Sequence, residues 1–133
     1  MKYMILLYGS QRDYDVLAGR PTDKPAMSPE EVAAMHDYMG SYHQKLVESG
    51  ELVGGDGLTA PVHARRVQLR GGVPVVTDGP YAETQEVLAG FTIVECESFD
   101  RATEIAAGFV NPNAEGEYVD VRPIAGGRDE LEL

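Results

Sequence analysis

Residues 2–8, KYMILLY, are hydrophobic at almost every position. Both alternating sets, Tyr3, Ile5 and Leu7 on one side and Met4, Leu6 and Tyr8 on the other, are mostly apolar. That pattern predicts a central strand covered on both faces, and in a small domain the second cover could be another subunit. Residues 9–27 then mix Gly, Pro, Asp and Arg without a period. A connection this long is either a lid over a pocket or a mobile insertion. As a lid it would offer Arg12, Tyr14 and Arg20 to a substrate.

Ser28-Pro29-Glu30-Glu31 opens a helix, with Ser28 as cap, Pro29 in the first helical position and Glu31 completing a capping box. Val32, Met35, Met39, Tyr42 and Leu46 repeat at 3-4-3-4 spacing and mark one apolar face. Gly50 is placed to end this helix. Residues 51–61 are glycine-rich, and Leu52, Val53 and Leu58 can add short strand pairing around a bulge or turn. Residues 65–70 alternate, Gly71-Gly72 turns the chain and residues 73–77 return, which predicts a hairpin. Residues 90–96 read as a strand, with Phe91, Ile93 and Glu95 on one face and Thr92, Val94 and Cys96 on the other. A further helix begins at Ser98, carries Ala102, Ile105, Ala106 and Phe109 on its buried stripe, and ends at Asn111-Pro112-Asn113. Residues 117–123 form the last strand, and residues 124–133 a polar, frayed tail.

The resulting order is strand, helix, hairpin region, strand, helix, strand. It predicts an α+β fold, a ferredoxin-like split βαβ arrangement with an antiparallel sheet and two helices on one sheet face. Residues 1–123 make one domain. The bare sheet face is covered most economically by a second copy of the chain, giving a homodimer.

Composition narrows the partners. Eleven basic residues against 22 acidic ones leave a net charge of −11. That disfavours nucleic acid, whose binding depends on Lys and Arg, and anionic membrane surfaces as well. There is no apolar run long enough to span a bilayer, and the short run at the start is broken at Gly9, unlike a signal peptide. The single cysteine, Cys96, reads as a reduced thiol in a cytoplasmic protein.

The chemistry centres on residues 75–95. A β-branched run stops at Asp78-Gly79-Pro80, a turn that sets one carboxylate at a strand end beside an irregular loop. TDGPYAETQE, followed by GF and an apolar strand, resembles the DGPF (DGPFAETKE-type) proteins of the YCII-related family. MKYMILLYG resembles that family's first strand, SGELVGGDGL its helix exit and turn, and VDVRP its last strand, so the likeness covers residues 1–123. Tyr81 stands where Phe is usual, Gln85 where Lys is usual, and Asp120 where Glu is usual. The resemblance implies a dimeric α+β barrel with two sheets face to face, and an Asp that works with a His in some relatives.

Each candidate residue has a structural reading and at least one functional one. Asp78 either holds its own turn through backbone bonds or serves as base or substrate anchor. A metal site of Asp78, Glu83 and Glu86 is a further, weaker reading, and Glu83 is otherwise a substrate contact. His36 and His43 lie seven apart on the long helix and either cover apolar surface or face a pocket as acid/base groups. That spacing, about 10 Å along the axis, is wrong for a helical metal pair. Arg122 either pairs across strands or clamps a substrate carboxylate. Tyr8 and Tyr81 either pack or donate a phenol hydrogen.

Two functions therefore compete. One is a small-molecule enzyme without a cofactor, performing proton abstraction, isomerisation or elimination, with Asp78 and His36 or His43 as acid/base groups and Arg122 as anion clamp. The other is a non-catalytic dimeric module that binds a metabolite or a protein. Relatives found beside or fused to sigma-factor-like regulators suit the second, which would tie it to transcriptional regulation.

Overall fold

The computed structural model describes residues 1–111 and 114–127. Strand β1 (Lys2–Gly9) lies at the centre of a four-stranded antiparallel sheet. Its neighbours are β5 (Val87–Glu95) and β6 (Val119–Pro123), and β2 (Leu52–Gly57) pairs with the outer side of β5. The order β2-β5-β1-β6 is that of a ferredoxin-like α+β fold. The glycine-rich stretch thus joins the main sheet, with a register shift between Leu52 and Gly54. Leu58 follows the strand, and its N–H donates to the carbonyl of Ala89 at 2.8 Å. Strand β5 starts three residues before the predicted one, at Val87, and β6 starts two residues after it, at Val119.

Strands β3 (Arg65–Arg70) and β4 (Val73–Asp78) form the predicted hairpin, but as a separate two-stranded sheet. It is an insertion between β2 and β5, and every one of its strand residues is exposed.

The long helix α2 (Pro29–Ser49) has the predicted limits. Ser28 and Glu31 make a reciprocal capping box, and Gly50 ends the helix in the left-handed conformation. The helical stripe is the inner face: Leu46 is buried, and Val32, Met35, Met39 and Tyr42 are half-buried. Helix α3 (Phe99–Ala107) ends sooner than Asn111, with Gly108 as its cap. The N–H groups of Gly108, Phe109 and Val110 close its last turn on Ile105, Ala106 and Ala107, and α2 adds two bonds: Tyr42 donates to the Ile105 carbonyl at 2.6 Å and Tyr38 to that of Gly108 at 2.8 Å. Of the residues expected to stop this helix, Pro112 and Asn113 lie outside the described residues.

Residues 9–27 hold a third helix that hydrophobic periodicity does not show. Helix α1 (Gln11–Leu17) begins at Ser10, whose hydroxyl accepts from the Asp13 N–H while Asp13 accepts from the Ser10 N–H. The tail also departs from expectation at its start, because the Ile124 N–H donates to Lys2 at 2.9 Å. Its remainder, 128–133, lies outside the described residues.

Core and sheet meet on one face only. Tyr3, Ile5, Val94, Leu46, Ala102, Ile105 and Ala106 are buried together between sheet and helices. Full burial of Ile5, Val94 and Ile105 contributes about 1.5–3 kcal/mol each. The opposite face carries Met4, Leu6, Phe91 and Ile93, half-buried and in cross-strand register.

Two contacts fix this frame. Arg101 of α3 grips Glu51 through two bonds of 2.8 Å, tying α3 to the exit of α2. The hydrogen bond from Arg101 holds the Glu51 carboxyl below the usual range, with Ser49 adding to it and burial opposing it. The folded state therefore binds this proton more weakly than the unfolded chain. The bridge stabilises above the ordinary carboxylate pKa, and the gain is lost as pH falls through the lowered value. Arg101→Met should cost about 1 kcal/mol at neutral pH, and denaturant unfolding at about pH 3 should show the difference shrinking. Gly55 is the second contact. A Cβ there would overlap the backbone carbonyl of Phe91, which cannot move without breaking β2 from β5. Gly55→Ala should lower unfolding stability by about 1–3 kcal/mol in urea titrations.

Candidate functional site

The Asp-Gly-Pro turn is built from the hairpin's root. Arg65 and Asp78 are the last cross-strand pair, and the Arg65 Nε donates to Asp78 Oδ1 at 3.2 Å. One step further on, the Gly79 N–H donates to the Ala64 carbonyl at 2.8 Å. Gly79 has φ 51°, and a Cβ there would press on the Val62 backbone, so the turn calls for glycine on both counts. Asp78 is thus held by a side chain from the facing strand, at 80% side-chain exposure. It is neither turned into its own turn nor buried in a cleft. Its Oδ2 has no partner among the described residues.

The chain next brings Tyr81 against the sheet. The Arg66 guanidinium lies 5.0 Å from the centre of its ring. Tyr81 is also one wall of a hollow of about 350 Å³, whose other walls are Leu58, Thr59, Ala60, Pro61, Ala64, Val87 and Leu88. Asp78 does not line it, but Ala64 does, and Ala64 is the neighbour of Arg65 and the acceptor of Gly79.

Helix α1 clamps the rim of this hollow. Gln11 accepts from the Val62 N–H at 2.9 Å, the Tyr14 phenol donates to Leu58 at 2.8 Å, and the Arg12 N–H donates to the Glu83 carbonyl at 3.0 Å. The segment expected as lid or insertion is therefore fastened at one point to the motif loop, through Glu83, and at two to the stretch that follows β2, through Leu58 and Val62. Of its candidate substrate contacts, Arg12 pairs with Asp23 and Arg20 with Asp15.

A second cluster lies around the ends of β1 and β6. The Tyr8 phenol donates to Asp120 at 2.8 Å, and this bond, more than its slight burial, raises the Tyr8 pKa. Its ring contacts Tyr118 at 5.6 Å between centres, and Tyr118 in turn donates to Glu86 at 3.3 Å. Glu117 loses hydration and faces Asp13 and Glu86, which together push its carboxyl upward. Arg122 is exposed beside this cluster, close enough for its charge to favour ionisation of Tyr8.

The sequence candidates are thus divided. Tyr8 bonds Asp120, and the Arg122 charge acts on the same phenol. Tyr81 lines the hollow and Asp78 stands at its root. Glu83 contributes a backbone carbonyl. His36 and His43 are exposed on α2 and neither makes a hydrogen bond among the described residues. His36 borders a shallow recess of about 400 Å³ between α1 and α2 with Leu17, Met27 and Val32. Asp78, Glu83 and Glu86 do not assemble a metal site, and no group of three or more potential metal-binding side chains occurs among the described residues. The sequence reading passed over Arg65, Arg66, Glu86 as partner of Tyr118, and Glu117. Counting outward from Gly71-Gly72 would have set Arg65 opposite Asp78. Cys96 is half-buried with its thiol against the Ser98 carbonyl at 3.4 Å. No helix among the described residues is long and apolar enough to cross a membrane.

Fold and motif together define a small ferredoxin-like protein carrying an inserted hairpin and a loop-rimmed hollow. The chain belongs to the YCII-related domain family, whose model matches residues 1–125. An uncharacterized protein of Rhizobium meliloti (strain 1021) is 34% identical over 100 residues, covering 75% of this chain and 81% of that protein.

Because the Arg65–Asp78 pair is exposed, screening leaves it little weight in stability. Asp78→Asn should keep the fold, shifting unfolding free energy by less than about 1 kcal/mol. A much larger loss in thermal or urea unfolding would mean the carboxylate is buried or carries more than one bond.

Proposed function

We propose that this protein binds a small, mostly apolar molecule in the hollow beside Tyr81, and does so as a homodimer whose open sheet faces meet. The hollow is the observation that carries the reading. Its walls are mostly apolar, and the Thr59 and Tyr81 hydroxyls are the polar groups its side chains offer. Arg66 and Arg65 adjoin it, the first stacked on Tyr81. Hydrophobic walls with a few convergent polar groups fit a compact ring or short acyl body with one carboxylate. Asp78 then acts by holding Arg65 in place. The half-buried Met4, Leu6, Phe91 and Ile93 support the dimer, since a strand apolar on both faces needs a second cover.

A cofactor-independent enzyme is the second reading, favoured by one observation: the open Oδ2 of Asp78, free to act as base or anchor for a guest. His36 or His43 would be the second acid/base group and Arg122 the anion clamp. Neither histidine hydrogen-bonds Asp78 within one chain, so the dyad would need the second copy.

Methyl-labelled protein titrated with benzoate and with short-chain acyl carboxylates tests the binding reading. Saturable shifts should be confined to Leu58, Val87 and Leu88, and Tyr81→Ala should abolish them. Absence of saturable shifts for every probe, in protein that stays folded, overturns it. Loss of binding in Asp78→Asn, with stability unchanged, would move Asp78 from support to ligand contact.

A further inference from the structure

We infer that the β3–β4 hairpin closes over the hollow as a flap, and that Arg66 is the cation it brings to an anionic guest. The inference rests on the proposed binding in the hollow. Every wall residue of the hollow is uncharged. Residues 65–78 contain three arginines and one aspartate, whereas the other 119 residues carry eight basic and 21 acidic side chains. That acidic body repels a guest carboxylate, so the counter-charge has to come from the hairpin. Of its arginines, Arg65 is engaged by Asp78, and Arg70 is bonded to Gln68 beside the far turn. Arg66 makes no hydrogen bond or ion pair among the described residues, and its guanidinium lies over Tyr81, a wall of the hollow. A guanidinium laid on a ring keeps its N–H donors at the edge, where a carboxylate can take two of them.

The way the hairpin is attached lets it move. Its root is fixed, because the Gly79 N–H bonds Ala64 and Gly79 sits against the Val62 backbone. Beyond the exposed Arg65–Asp78 pair, Arg66 on Tyr81 ties the strands to the body, and no other hydrogen bond, ion pair or ring contact does so among the described residues. A two-stranded hairpin without packing is marginal in water, and a segment with so few contacts bends readily about its root. Register sets the face that closes. Arg66, Val73, Val75 and Thr77 share one face, and Val67, Leu69 and Val76 the other. Val75 is 39% exposed against 57% for its chain neighbour Val76, so the Arg66 face is the one turned toward the body. Closure lowers Val75 and Arg66 together, the valine onto the apolar part of the guest and the arginine onto its carboxylate. Segments that complete a site around a bound molecule work in this way. The hairpin forms a sheet of its own, so closure leaves the open face of the main sheet to the proposed dimer.

Benzoate, and benzyl alcohol as its uncharged counterpart, are the probes. In methyl-labelled wild type, nuclear Overhauser effects from the benzoate ring should reach Val75 as well as Leu58, Val87 and Leu88. They should miss Val67, Leu69 and Val76. Arg66→Met should weaken benzoate by about 10-fold or more and leave benzyl alcohol within about 2-fold. Arg66 is exposed, so circular dichroism of the variant should be unchanged. Ring contacts confined to Leu58, Val87 and Leu88, or reaching the Val67 and Val76 face, overturn the flap and leave binding in the hollow standing. Unchanged benzoate affinity in Arg66→Met, or an equal loss of both probes, overturns the part given to Arg66. Binding of neither probe to wild type overturns the binding reading and the flap with it.

Discussion

Strand β1 is hydrophobic on both faces, while the chain's helices cover one. That mismatch governs the rest of the structure. Tyr3 and Ile5 are sealed against α2 and α3 by Leu46, Ile105 and the small residues Ala102 and Ala106. Met4 and Leu6, one residue out of phase, share their face with Phe91 and Ile93 and with no helix. Alternation by single residues means that the sequence cannot bury one set without presenting the other. A soluble edge or solvent-facing strand would place polar residues there. The proposed homodimer would give these apolar residues their cover.

The motif loop is explained in part without reference to function. Asp78 closes the hairpin by pairing with Arg65, Gly79 takes a left-handed conformation against Val62, and Tyr81 is packed under Arg66. Each residue has a local mechanical reason to be where it is. What mechanics does not explain is the hollow beside Tyr81, because small residues such as Ala60 and Ala64 leave space where larger ones would fill it. Helix α1 reinforces this rim through Gln11, Arg12 and Tyr14 while contributing no wall to it. A rim braced at Leu58, Val62 and Glu83 is suited to keeping a space open, as binding sites on rigid scaffolds require.

Periodicity revealed the long helix and β1 because their signals are local. The spacing of Val32, Met35, Met39, Tyr42 and Leu46, with a cap at each end, is enough to fix α2. Helix α1 escaped because it is short and has no buried residue, so there is no apolar stripe to read. Its only local signal is Ser10 followed three residues later by Asp13, an acidic variant of the capping box. The end of α3 was misjudged for a different reason. Its last turn closes on tight bonds from Gly108, Phe109 and Val110, and the bonds that Tyr38 and Tyr42 add from another helix leave no trace beside the residues they serve. Register within the hairpin could be counted from Gly71-Gly72. The meeting of Tyr8 with Asp120 could not, since it depends on two strands 112 residues apart in the chain.

The β3–β4 hairpin and the hollow share a root. Ala64 lines the hollow, accepts from Gly79 and precedes Arg65. Tyr81 lines it too and carries Arg66. A force that reorients β3 and β4 therefore acts on two walls at once. Linkage requires the effect to be mutual: a guest that prefers one hairpin orientation is bound more tightly by whatever holds the hairpin that way, by the same factor. The exposed Arg65–Asp78 pair is weak by itself, so it does not fix the orientation of β3 and β4 relative to the hollow.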